Sequence, residues 1–395
     1  MGANREAFTS NIWKAYASSF LVNFIFFLPI IVLFWQANGL SFTQIMVLQA
    51  IFSIAVFVLE LPTGFFADVF GRKTALVFSG VGLSIGALVY SIGSNFYHFL
   101  IAEIIWAVGF SLMSGTDSAF VYDTLSTLKR EKTYKRVMGT VLFLGSFATA
   151  MASIIGGILG AVSFRLAIAA FIPFAVIATL LIATAREPPR KKLIYEKGYA
   201  KTLLKIVRFA LIKNSEVRWL IIYFTIVNVV GHVTFWLYQP YFIQAGLKVE
   251  HVGIAFAILL TVTALSSKFA YLIENFIGKR LSLLALPFLS AAALLLMALF
   301  VNPFSIVFVA ILSFVFGFSR PVVEDYINHI VWADKRATVM SLNNMGKRAA
   351  FAIIAPVVGL SVDKYGMNNS FLGLALISLI AGLILIVFLK KNEVV

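Results

Sequence analysis

Of 395 residues, 61% are hydrophobic and only 12% are charged, and the mean hydropathy is +0.96. That composition exceeds what a water-facing surface tolerates, so the soluble classes are excluded and the formal charge of +15 is not a nucleic-acid footprint. Cysteine is absent, which removes disulfide frameworks, thiolate nucleophiles and cysteine metal sites.

The first ten residues lack the charged-then-apolar layout and cleavage site of a signal peptide, and Glu6 stands where a myristoylation signal wants Ser or Thr. A mature, unlipidated terminus is expected. Apolar runs follow at 11–36, 42–66, 74–92, 98–125, 136–162 and 165–185, and again at 217–245, 251–274, 281–301, 304–331, 336–362 and 371–389. A bilayer core takes about 20 apolar residues per helix, and backbone groups in hydrocarbon must be satisfied within the segment, so these runs predict twelve transmembrane helices in an all-α integral membrane protein.

Lys and Arg set the expected orientation. Of the 32, 25 fall on the termini and on one alternate set of loops, ten of them between Arg186 and Arg218. Positive loops stay in the cytoplasm, so both termini are expected inside the cytoplasmic membrane, and the excess charge also attracts anionic lipid headgroups. The paired prolines Pro188 and Pro189 stop any continuing helix, which divides the chain into 1–185, a linker at 186–216 and 217–395. Within the linker, apolar and basic residues at helical spacing over 201–211 predict an interfacial amphipathic helix.

The halves echo each other. Gly71-Arg72-Lys73 recurs as Gly278-Lys279-Arg280, and Gly109-Phe110-Ser111 with Asp117 recurs as Gly317-Phe318-Ser319 with Asp325. Equal orientation of the matching loops makes this a parallel repeat of six-helix units.

The loop Gly64-Phe65-Phe66-Ala67-Asp68-Val69-Phe70-Gly71-Arg72-Lys73 resembles the signature of the major facilitator superfamily between its second and third helices. The resemblance covers the whole chain. It implies two pseudo-symmetric six-helix bundles, alternating access, a small-molecule substrate with protons as coupling ion, a monomer, and no cofactor. It further implies a conformational latch of Gly64, Asp68, Gly71, Arg72, Lys73 and Asp123, in which the glycines permit close approach and a sharp turn, and Asp68 caps the eleventh helix. Glu60 to Gly64 and Ser114 to Asp123 resemble prokaryotic members grouped with multidrug exporters, which implies antiport and efflux of hydrophobic or amphiphilic compounds. The fourth span carries no mid-helix Arg and the fifth has Ala152-Ser153 where Gly-Pro is usual in proton-coupled drug exporters.

Ionisable groups inside spans are costly, so they pair, titrate or bind something. Acidic ones sit in the first half: Glu60, Glu103, Asp117 and Asp123. Basic ones sit in the second: Lys268, Arg320, Lys347 and Arg348, with Glu324 and Asp325 nearby. Arg320 and Glu324 are four apart and can satisfy each other, and adjacent Lys347 and Arg348 point about 100° apart on a helix. Asp117, flanked by Gly115, Ser118 and Ala119, is the candidate proton carrier, with a local ion pair or hydrogen bond as its alternative. Glu103 is expected near headgroups. His232 and Trp236, four apart, are a candidate cavity pair, and Asn23 and Phe27 are candidate cavity positions, each with ordinary packing as its alternative. An organic anion held by Lys347, Arg320 or Lys268 is the second functional reading, and a transport-inactive receptor of the same fold is the third. No phosphate loop, nucleotide fingerprint or metal-binding pattern supports an enzyme, a cofactor or a metal.

Overall fold

The computed structural model describes residues 2–189 and 214–391. The amphipathic helix expected at 201–211 lies outside the described residues. Within them the chain is helical. In the first half the helices are α1 (Gly2–Val22), α2 (Ile31–Ala37), α3 (Phe42–Phe70), α4 (Arg72–Ile92), α5 (Phe96–Met113), α6 (Thr116–Thr127), α7 (Tyr134–Val162) and α8 (Phe164–Ala183). In the second they are α9 (Ser215–Phe235), α10 (Tyr238–Gln244), α11 (Val249–Lys268), α12 (Ala270–Leu299), α13 (Ile306–Ile330), α14 (Ala333–Tyr365) and α15 (Met367–Lys391). Among the described residues, 11 helical segments are long and apolar enough to cross a bilayer, and the interrupted pair α1 and α2 supplies the twelfth crossing.

Four spans expected as continuous helices are broken. The first stops at Val22 and resumes at Ile31, because Pro29 has no N–H to give the carbonyl of Ile25. The chain crosses the gap by tight turns, Leu28 N–H to the Ile25 carbonyl at 3.3 Å and Ile30 N–H to that of Phe27 at 3.0 Å. The fourth breaks between α5 and α6, where Gly115 takes φ 76°, a left-handed conformation that suits glycine. The seventh breaks between α9 and α10, since Pro240 cannot donate to Trp236 but is tolerated in the first turn of α10. The eighth is interrupted at Phe269, where α11 closes at Lys268 and α12 begins at Ala270, and its helix then runs on to the non-helical Gly278. Helix α12 kinks at Gly278, φ 80°.

Loop side chains finish several helices. Asn95 accepts the N–H of His98 and caps α5, Ser163 accepts from Leu166 and caps α8, and Asn214 accepts from Val217 and caps α9. Each satisfies a donor that the helix leaves open.

By its contacts the chain divides into two compact units, Met1–Leu40, Ile51–Ile194 and Lys248–Ala257 in one, and Ser41–Ala50, Tyr195–Leu247 and Ile258–Val395 in the other. The start of α3, as far as Ala50, therefore groups with the second half, and the start of α11 groups with the first. In the first unit Ala15, Val121, Leu125, Val137 and Val141 form one core cluster. The second has a larger core built on Tyr223, Phe224, Leu283, Leu286, Phe318 and Val323. Large apolar side chains such as Leu61, Val162, Phe276, Ile353 and Val387 stay exposed, which in water would aggregate and in lipid is the outer surface.

Candidate functional site

The signature loop is the first constellation. Asp68 on the last turn of α3 bonds Arg72 at 2.7 Å, and Arg72 lies 3.7 Å from Asp123 on α6, so these three residues of the implied latch set form an acid-base-acid chain. Gly71, at φ 120°, makes the turn into α4 that a side chain would strain. Gly64 does not serve close approach: a Cβ there would meet no atom within 4 Å. The backbone N–H groups of Arg72 and Lys73 both donate to Glu187, at 2.7 and 2.9 Å. This carboxylate caps the positive end of α4.

Glu187 is held from behind. Asn11 accepts the Arg186 N–H at 2.9 Å and donates to the Arg186 carbonyl at 2.8 Å, and Lys14 donates to the Thr184 carbonyl at 2.8 Å. Neither Glu187 nor Asn11 was visible as a site residue in the sequence. Their one signal is a polar Asn early in the first apolar run and an acid among the basic residues that open the linker.

A cavity of about 280 Å³ opens within the first unit. Helix α1 gives it Ser18, Ser19 and Asn23, α6 gives Asp117 and Phe120, and α7 gives Ser146 and Thr149. Asp117 is the one charged group in its wall. The break at Gly115 puts Asp117 in the first turn of α6, where one carboxylate oxygen accepts the Ser118 N–H at 2.7 Å. Asn23 sits where α1 ends, and its side-chain N–H donates to the Ser19 carbonyl at 2.8 Å. Phe27 is elsewhere. It is buried, with its ring 5.5 Å from that of Trp106 and 5.8 Å from that of Phe171.

Glu103, expected to be exposed near headgroups, is buried: it is 5% exposed and hydrogen-bonded to the Tyr90 hydroxyl. An acid on an apolar span is admitted to the interior by such a partner.

In the second unit Arg320 donates to Glu324 at 3.1 Å, the local pair anticipated from their spacing. Lys347 stands 4.5 Å over the Phe224 ring, and Lys268 lies 5.3 Å from the ring of Phe269, both cation–π contacts. His232 stacks on Phe351 at 4.1 Å, while Trp236 meets Phe235 edge-on at 5.4 Å. Arg348 is half-buried on α14.

A second cap was not legible in the sequence. Asp363, near the end of α14, accepts the N–H groups of Phe42 and Thr43 at 2.9 and 2.8 Å and the Thr43 hydroxyl at 2.6 Å. It thus satisfies the first turn of α3, close to Gly359, where a Cβ would come within 2.7 Å of the Phe42 carbonyl.

The chain as a whole has known counterparts. The family described as the Major Facilitator Superfamily matches residues 12–345 and 242–395. An uncharacterised MFS-type transporter of Bacillus subtilis, YxaM, is 24% identical over 370 residues, covering 90% of this chain and 89% of its own. Among solved structures, a point variant of the nucleoside transporter NupG is similar with a TM-score of 0.82 at 16% identity, covering 95% of this chain and 99% of that one. A bacterial homologue of the lysosomal transporter Spinster, inward-facing and unoccupied, gives 0.76 at 16% identity and 98% of each chain. A D-xylose-proton symporter gives 0.71 at 14%, with 95% and 97% covered.

Proposed function

The chain belongs to the major facilitator superfamily, and we propose that it is a secondary transporter moving a small amphiphilic organic solute by alternating access, with Asp117 exchanging a proton for that solute. The observation that carries this reading is the cavity of the first unit, whose wall combines one carboxylate, several hydroxyls and apolar residues such as Leu76, Met113 and Leu142. A ligand pocket is mostly apolar with a few orienting polar groups, and a carboxylate that holds either a proton or a solute couples two gradients by exclusion. Exchange of this kind is export when protons run inward. The positive-inside bias of the loops supports a chain in the cytoplasmic membrane with both termini inside.

A second reading rests on Lys347, whose ammonium faces the Phe224 ring and has no carboxylate at ion-pair distance among the described residues. It would receive the charge of an organic anion.

The test is counterflow and gradient-driven transport in proteoliposomes. Asp117→Asn mimics the protonated acid, so it should lose uphill transport and weaken solute binding, with exchange of labelled for unlabelled solute surviving only at raised solute concentration. A variant that still concentrates solute against its gradient removes Asp117 as the essential proton carrier.

A further inference from the structure

We infer that the cavity around Asp117 selects an organic cation bearing N–H donors, a primary or secondary ammonium on an apolar body; this rests on the reading of that cavity as the solute site.

The argument is a count of hydrogen-bonding capacity. A hydroxyl has one proton to give, and an oxygen whose proton is already used can only accept. Ser19 spends its proton on the Val141 carbonyl at 2.9 Å. Thr149 shares its own between the carbonyls of Gly145, at 3.0 Å, and Asn23, at 3.3 Å. The Asn23 amide spends one of its two N–H donors inside the wall, on the Ser19 carbonyl, which leaves one N–H beside its side-chain oxygen. Asp117 accepts the Ser118 N–H and its own backbone N–H, and its ionised carboxylate has further lone pairs but no proton to give. The polar groups of these four side chains therefore offer a ligand mainly oxygen lone pairs, and Ser18 and Ser146 supply hydroxyls that serve either way.

Charge points in the same direction. No Lys, Arg or His lines the cavity, and no basic group lies at ion-pair distance from Asp117 among the described residues. A partly desolvated carboxylate without a cation is expensive, and a ligand ammonium supplies the missing charge together with the donors. A neutral polyol would bring no charge to Asp117, and an anion would meet Asp117 directly.

The site is also shaped for these acceptors. A Cβ on Gly145 would stand 3.0 Å from the Asn23 side-chain nitrogen and 3.1 Å from the Ser19 hydroxyl. Glycine at 145 thus gives both side chains their places in the wall.

The experiment measures binding to purified full-length protein in lipid nanodiscs by microcalorimetry, with 2-phenylethylamine, 2-phenylethanol, 3-phenylpropionate and tetraethylammonium as probes. The amine should bind in a saturable way, and the alcohol and the acid at least about tenfold more weakly, since they lack the charge-assisted donor. Tetraethylammonium, a cation without N–H groups, should fall between. Asp117→Asn should weaken the amine by about tenfold or more, Asp117→Glu should restore most of it, and Gly145→Ala should weaken it through Asn23 and Ser19, all in protein that elutes as the wild type does. Equal affinity for alcohol and amine, or unchanged amine affinity in folded Asp117→Asn, overturns the assignment. So does absence of saturable amine binding; counterflow of uridine or D-xylose in vesicles of the same preparation would then leave the transporter reading standing and remove only the cation.

Discussion

The Glu187 carboxylate occupies the space that a side chain on Gly71 would need: its Oε2 lies 2.7 Å from where a Cβ would stand. The same two oxygens accept the N–H groups of Arg72 and Lys73. Loop glycine and linker acid are therefore one device, which ties the beginning of the linker to the signature loop.

Gly71→Ala is expected to lower stability in detergent, because an L side chain at φ 120° is strained by about 1–3 kcal/mol and also meets Glu187. Glu187→Ala removes the cap at a cost of about 1 kcal/mol. In the double variant the collision is gone, so the losses should sum to less than the two singles. Thermal unfolding of the four proteins decides it, and strict additivity would mean that the two residues do not share space.

Asp363→Ala should destabilise the start of α3, since three donors from Phe42 and Thr43 lose their acceptor together. A cap of this kind contributes about 1–2 kcal/mol. Asp363→Asn keeps one oxygen and should cost less. Hydrogen exchange at 42–46 is the direct readout, and unchanged protection there in Asp363→Ala would argue against the cap.

Asp68→Asn removes the charge nearest Arg72, leaving the longer contact to Asp123 at 3.7 Å. If Asp68 latches the outward-facing state, distances between spin labels on the two rims should shift toward the inward-facing distribution. Identical distributions in the variant and the wild type would sink the latch assignment.

Legibility followed the range of the interaction. The twelve apolar runs and the pairs Asp68–Arg72 and Arg320–Glu324 depend on neighbours in sequence, and all could be read from spacing. The breaks at Pro29, Gly115 and Pro240 each had a residue that marks them, yet the apolar run continues through them, so hydropathy alone joined what the backbone separates. Glu187 and Asp363 were hidden for a different reason: each caps a helix distant in sequence, and a carboxylate facing an N–H carries no local pattern. Glu103 looked exposed because its partner, Tyr90, lies on another helix. Asn23 and Asp117 were found as candidates, whereas Phe27, one turn on from Asn23 by spacing, is separated from it by the break and packs with Trp106 and Phe171.

Arg320→Gln should leave stability within about 0.5 kcal/mol, because its partner Glu324 is on the same helix and the Arg320 side chain is 70% exposed, a setting in which ion pairs contribute little. Under the cation reading its effect on solute affinity should be equally small. A large loss of affinity in Arg320→Gln or Lys347→Gln, with the fold intact, would favour the organic-anion reading.

Gly115 provides the test of whether the broken fourth span matters for more than stability. Its φ is 76°, and a Cβ there would have no neighbour within 4 Å, so a substitution meets backbone strain without collision, unlike Gly71. Asn accepts the left-handed conformation better than other non-glycine residues, while a β-branched residue resists it. Gly115→Asn should therefore stay within about 1 kcal/mol of the wild type, and Gly115→Val should lose more. The valine variant has a second way out: it can relax the break toward continuous helix, and each residue of altered winding turns the following side chains by about 100°. Asp117 is two residues on, so its carboxylate would leave the cavity wall. Uptake by Gly115→Val should then fall further than its folded fraction does, whereas Gly115→Asn keeps both. Measuring uptake and thermal unfolding on the same reconstituted samples separates the two effects, and a valine variant that transports in proportion to its folded protein would show that the break is not what places Asp117.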